Sequence, residues 1–266
     1  MILTGLQALV QPDRGEGLMS DKMLPSPVEI EGADAPGDAL IICEHAANDF
    51  PAQYGDLGLS EDEKAAHIAW DPGALGLARG LARNLNAPLV LGTISRLIYD
   101  LNRPPHAPGA MAETSEIYRI PDNADLPVAE RLRRTAGIYL PFHNAVAMMV
   151  AARLALGQRP VVITVHSFTP VWHGTPRQVE FGVIHDADDR LARAITAQDT
   201  GLMTMLNEPY SAADGVAHML ATHATPLGLA NVMLELRNDL LADPAAQAAM
   251  ADRLTPVLRA AITAVR

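Results

Sequence analysis

Runs of apolar residues too short for helices, each halted by a polar cluster, punctuate this chain. Leu40, Ile41 and Ile42, bracketed by Gly37 and Pro51, read as a buried strand that delivers His45 to a sheet edge. Residues 160–165, P-V-V-I-T-V, repeat the arrangement and stop at His166-Ser167. Residues 230–236 do so a third time and end in Glu235, Leu236, Arg237, Asn238 and Asp239. Further strands are predicted at 88–93, 179–184 and 203–208, with a short edge strand at 28–30.

Between these runs the apolar spacing becomes helical. Ser60 caps a short helix whose first turn holds Glu61, Asp62 and Glu63, matched to the positive end of the helix dipole, and His67 and Trp70 follow on it. Asp71-Pro72 opens a second helix, with Asp71 as N-cap and an apolar side of Leu75, Leu77, Leu81 and Leu85. The longest helical pattern covers 126–156; it should bend near Pro141, carry His143 and stop at Gly157. Helices at 186–197, 215–222 and 244–265 complete the set. Strands alternating with helices predict an α/β fold with a parallel or mostly parallel sheet covered on both faces. Residues 1–27 read as an irregular lead-in and 28–266 as one domain, without internal repeats or a glycine-rich phosphate loop.

Composition narrows the chemistry. A length of 266 residues, 49% of them hydrophobic, suffices for one large core. The net charge of −11 supplies no basic field for nucleic acid or an anionic bilayer, so an anionic substrate would have to be caught by locally placed arginines. The single cysteine, Cys43, excludes an intramolecular disulfide and a multi-cysteine metal site, which leaves His, Asp and Glu as metal ligands. The N-terminus lacks the pattern of a signal peptide, and the apolar run at 145–152 is too short to cross a bilayer; the expected location is cytoplasmic.

Three predicted strands therefore finish in His45, His166 and Glu235. Two imidazoles and a carboxylate at one sheet edge suit a zinc hydrolase centre, because open α/β sheets bind ligands beyond the carboxyl ends of their strands. The alternative keeps both histidines as hydrogen-bond formers and pairs Glu235 with Arg237, two residues along the same face. The loop-bound segment R-L-I-Y-D-L-N-R at 96–103 offers an anion receptor: Arg103 can grip a carboxylate with two parallel hydrogen bonds, Asn102 adds a donor, and Asp100 would orient that arginine or support the site from behind. Asp100 and Arg96 can equally form a loop-stabilising ion pair. Arg237, His143 and His223 are further candidate substrate-binding residues, each with a structural alternative, as has His173. Residues 104–124 form a surface excursion of the kind that serves as a lid or binding loop.

These pieces resemble the N-formylglutamate amidohydrolase family. The carriers are C-E-H-A-A-N at 43–48 with Pro51, A-W-D-P-G-A at 69–74, S-R-L-I-Y-D-L-N-R-P at 95–104, V-H-S-F at 165–168 and L-E-L-R-N-D-L at 234–240, in the family's order over about 28–262. The resemblance implies a three-layer α/β/α fold related to zinc carboxypeptidases and aspartoacylases. It also implies hydrolysis of an N-formyl or N-acyl acidic amino acid, with N-formylglutamate as the leading substrate and a divalent metal, zinc, as cofactor. It assigns His45 and His166 as metal ligands, Glu235 as the base that activates water, and Asn102-Arg103 as the grip on the substrate carboxylate. The His-x-x-Glu of the related enzymes is absent, since Asn48 stands three residues after His45. Asp71, Glu44 and Asn48 are the candidates for a third ligand, with Asp71 preferred. The competing readings are a binding protein for an acidic metabolite without a catalytic metal, and an amidase for another N-acyl amino acid.

Overall fold

Seven strands form one mixed sheet in the computed structural model, which describes residues 26–211 and 215–266. They are β1 (Val28–Glu31), β2 (Ala39–Cys43), β3 (Leu89–Gly92), β4 (Val161–Phe168), β5 (Phe181–Ile184), β6 (Thr204–Leu206) and β7 (Asn231–Arg237), in the spatial order β1-β3-β2-β4-β7-β5-β6. Four pairings are parallel; β1–β3 and β7–β5 are antiparallel. The helices are α1 (Glu61–Ala65), α2 (Ala74–Leu85), α3 (Val128–Arg134), α4 (Leu140–Ala155), α5 (Arg190–Thr196), α6 (His218–His223) and α7 (Pro244–Val265). Most of the expected lead-in, residues 1–25, lies outside the described residues.

The central strands are buried on both faces because helices cover both, which explains why their sequences read as continuous apolar runs. Ile41, Ile163 and Leu234 pack with Leu77 and Leu81 of α2, Leu191 of α5 and Leu254 and Leu258 of α7. On the other side Leu40, Ile42, Val162 and Met233 pack with Phe142 and Val146 of α4 and Leu220 of α6. The result is a three-layer α/β/α sandwich.

Two local expectations change. The long helical pattern is interrupted by a π turn, Thr135–Tyr139, in which the Leu140 N–H reaches back five residues to the Thr135 carbonyl. Pro141, lacking an N–H, cannot bond the carbonyl of residue 137, and the widened turn just before it absorbs that mismatch. The stretch Val128–Ala155 is long and apolar enough to cross a bilayer by composition, yet Phe142, Val146 and Val150 within it are buried against the sheet. The second change concerns α2, which starts at Ala74 with Gly73 as N-cap at φ 79°, so Asp71 does not cap it. A side chain at Gly73 would meet Leu241 Cβ at 2.4 Å, so both the dihedral and the contact call for glycine.

The sheet's carboxyl edge is tightly built. A Cβ at Gly92 would stand 2.3 Å from the Glu44 carbonyl oxygen and 2.8 Å from Leu101 Cδ1. Gly92→Ala is expected to lower the unfolding free energy by about 1–3 kcal/mol, as overpacking does, read as a shift in urea midpoint; an unchanged midpoint would show that this edge yields freely.

Candidate active site

Parallel pairing of β2, β4 and β7 sets the site's spacing. Ile42 pairs with Thr164, which brings Glu44 level with His166, and Glu235 pairs with His166 on the other side. His45 lies just past β2. The loop holding Asp71 is tied to it, since the Asp71 N–H donates to the His45 carbonyl at 3.0 Å and Ser167 Oγ donates to the Pro72 carbonyl at 2.8 Å. The Arg96 N–H donates to the Ala69 carbonyl at 3.1 Å, fixing the 95–103 loop on the same edge.

One carboxylate oxygen is the meeting point. Asp71 Oδ2 lies 3.2 Å from His45 Nδ1 and 2.9 Å from His166 Nδ1, and the two rings are edge to face with centroids 5.0 Å apart. Each ring turns its other nitrogen to a second carboxylate. His45 Nε2 is 2.7 Å from Asp100 Oδ1, and His166 Nε2 is 3.2 Å from Glu44 Oε2 at an angle poor for hydrogen bonding. Arg96 closes the cluster, donating to Asp71 Oδ1 at 3.1 Å and Asp100 Oδ2 at 2.9 Å. Glu235 stands beside it, buried, with Oε2 lacking a partner among the described residues.

The electrostatics follow from this packing. Glu44, Asp71, Asp100 and Glu235 are each no more than 5% exposed. Burial opposes ionisation of Asp71, but His45, His166 and Arg96 outweigh it and hold its carboxyl well below the ordinary range. Burial likewise opposes the charge on Asp100, which His45 and Arg96 hold low. Burial pulls both imidazoles down, and Asp100 with Asp71 raises His45 while Glu44 and Asp71 raise His166. Glu235 moves the other way: burial, with Asp71 adding to it, lifts its carboxyl to about 7.

This group fits a divalent cation. One donor atom each from His45, Asp71 and His166 lie within 4.8 Å of one another, and all three residues are buried. Two imidazoles and a carboxylate are the donor set of a catalytic zinc site with an open position, and a carboxylate behind each imidazole is the usual orienting partner of a metal-bound histidine. Glu44, Asp71 and Asp100, all buried around the two imidazoles, make an acidic setting that suits a cation. Of the three candidates for third ligand, Asp71 belongs to the group. Glu44 sits on the far nitrogen of His166, and Asn48 Nδ2 is turned away to donate to the Lys64 carbonyl at 2.9 Å.

Other sequence-predicted residues fall nearby in different company. Asp100 pairs with Arg96 and His45, and so does not serve mainly to orient Arg103. The Asn102 side chain is committed to backbone, donating to Val216 and accepting from the Met219 N–H, so it pins the start of α6. Arg103 Nη1 lies beside Gly215, where a Cβ would stand 2.8 Å away. The Arg237 guanidinium donates to Asp239 and faces Glu180, so the alternative pair with Glu235 does not form. His143 and His223 are buried and bonded to each other at 2.8 Å, and His143 Nε2 is 2.9 Å from the Leu101 carbonyl. That arrangement fits neutral rings: His143 donates from Nε2 and accepts at Nδ1 from His223. His173 is exposed at φ 46° on a hairpin tip. Pattern reading missed Tyr210, whose hydroxyl feels the charges of Glu235 and Arg96 and accepts from Arg177; both residues stand on irregular segments with no periodic signal.

The family model described as N-formylglutamate amidohydrolase matches residues 37–242. A solved structure of the gene product Atu2144 from Agrobacterium tumefaciens is 49% identical with a TM-score of 0.89, covering 91% of this chain and 96% of that one. A structure of N-formylglutamate amidohydrolase from Ralstonia eutropha JMP134 is 21% identical with a TM-score of 0.61, covering 91% and 99%, and shares the fold. No curated protein matches the chain. The matched family is one of amide hydrolases. The chain belongs to the N-formylglutamate amidohydrolase family.

The buried histidine pair generates a pH prediction. Burial drives His143 down to about 3 and His223 to about 4, below the roughly 6.5 of an unfolded histidine. The unfolded chain then binds more protons below pH 6.5, so this contribution to stability is complete above 6.5 and is lost as the pH falls toward 4. The double variant His143→Phe with His223→Leu should lose about 1 kcal/mol less per pH unit and per imidazole between pH 6.5 and 5 than the parent. Equal slopes in urea unfolding at the two pH values would show that these rings are not held neutral.

Proposed function

We propose that this protein hydrolyses the amide of an N-formyl or N-acyl acidic amino acid, N-formylglutamate foremost, releasing the acyl group as a carboxylate and the free amino acid. The observation that carries the reading is the buried carboxyl of Glu235, one strand from His166, with an oxygen that has no partner among the described residues; burial pushes its pKa up to about 7. A group that holds and releases a proton at that pH suits both halves of an amide cleavage. His45, Asp71 and His166 would hold the divalent cation, zinc in this reading, which supplies Lewis acidity toward the amide carbonyl and a more acidic water.

The chain's own residues carry the remaining work. Glu235 takes a proton from the attacking water as the carbon–oxygen bond forms. It returns that proton to the nitrogen as the carbon–nitrogen bond breaks, so the neutral amine leaves with formic acid, and the second water proton then passes from the acid to the amine to give formate and the ammonium form of the amino acid. Asp100 and Glu44 hold the two imidazoles in orientation, and Arg96 holds Asp71 and Asp100 in place. Arg103 is the anchor for the substrate's α-carboxylate, with Asn102 fixing the adjoining segment through Val216 and Met219. Anchoring brings the scissile carbon to the water and contributes by orientation.

Elemental analysis of the purified protein should give about one zinc or similar ion per chain, and Asp71→Ala should lose it. The metal-loaded protein should release formate from N-formylglutamate. Glu235→Gln should keep the metal while turnover falls roughly 10²–10⁴-fold. Parent-like turnover in that variant would remove Glu235 as the base, and no formate from any N-formyl amino acid would contradict the reaction.

A further inference from the structure

Arg177 is held in an unusual way beside this site. Its guanidinium lies 4.9 Å from the ring centroids of Trp172 and Tyr210 and 5.3 Å from that of Phe168. Nη1 donates to the Tyr210 hydroxyl at 3.2 Å and to the Thr169 carbonyl at 3.4 Å. Among the described residues no Asp or Glu pairs with it, whereas its neighbour Arg237 is engaged by Glu180 and Asp239. Nε and Nη2, which together form the edge that grips a carboxylate through two parallel bonds, therefore have no hydrogen-bond partner among the described residues. Aromatic faces on several sides fix a guanidinium's position without neutralising its charge.

Its location fits a ligand. Phe168 is two residues beyond His166 on the same face of β4, so the ring under Arg177 continues the row that begins at the candidate metal group. Tyr210 bridges the two regions: its hydroxyl accepts from Arg177 and lies in the fields of Glu235 and Arg96. A substrate with two carboxylates requires two separated cationic receptors, and Arg103 provides for one.

We propose that Arg177, oriented by Tyr210 and stacked among Phe168, Trp172 and Tyr210, is the receptor for the substrate's side-chain carboxylate and the residue that makes the enzyme select acidic over neutral N-acyl amino acids. This rests on the amide-hydrolase reading and adds to it the residue that reads the acidic side chain.

The test compares kcat/KM for N-formylglutamate with that for its neutral isostere N-formylglutamine, using metal-loaded full-length protein. Arg177→Met should lower the ratio of the two by roughly 30-fold or more, because a charged bidentate contact is lost for one substrate only. Arg177→Lys should recover part of the ratio, and Tyr210→Phe should lower it several-fold. Thermal midpoints of the variants establish that they fold. An unchanged ratio, with both substrates impaired alike or neither impaired, would overturn the assignment and leave Arg177 a structural residue. Should the parent release formate from neither compound, the hydrolase reading fails on its own. The subsite is then judged by calorimetric binding of glutarate against butyrate, where Arg177→Met should weaken glutarate about tenfold more than butyrate; equal weakening would overturn it.

Discussion

A single carboxylate oxygen shared by two buried imidazoles is the constraint on which the site depends. Asp71 Oδ2 faces His45 Nδ1 and His166 Nδ1 at once, and the distances of 3.2 and 2.9 Å hold only if two strands and a loop keep their registers. A carboxylate buried to 3% exposure is tolerated because cations and hydrogen-bond donors surround it. His45, His166, Arg96 and the Ser167 N–H make up that surround, and Asp100 and Glu44 stand behind the two imidazoles.

The fold supplies the required stiffness. β2, β4 and β7 are adjacent and parallel, so their carboxyl ends emerge at one edge and present Glu44, His166 and Glu235 at neighbouring positions. Helices on both faces exclude water from the strands and from the root of the site. The same burial produces opposite results for two acids: Asp71, among cationic partners, stays ionised, while Glu235, with Asp71 for a neighbour, binds its proton more firmly. Two neighbouring carboxylates with separated proton affinities are suited to different tasks.

Much of this was legible in the residues, and the rest was obscured for physical reasons. Apolar runs halted by His45, His166 and Glu235 are direct signals because a strand buried on both faces reads as one continuous apolar run, although β4 and β7 continue past these residues to Phe168 and Arg237. The three-layer architecture follows from strands alternating with helices. Asp71-Pro72 was ambiguous, since the same dipeptide suits a helix start; the cap fell to Gly73, and the carboxylate was free for the histidines. Glu44 was visible as a possible ligand but not as the partner of His166 Nε2, which depends on β2–β4 register and thus on pairing that no local pattern encodes. Asn102 looked like a ligand donor and instead binds backbone 114 residues away in sequence. Arg177 and Tyr210 meet through non-local packing of two irregular segments, where periodicity offers no guidance.

The claim that His45, Asp71 and His166 together hold one divalent cation is tested most directly by anomalous diffraction at the zinc absorption edge from crystals of the purified protein. The account predicts one strong peak within bonding distance of both Nδ1 atoms and an Asp71 oxygen. A peak at any other set of side chains, or none after soaking in zinc, would contradict it.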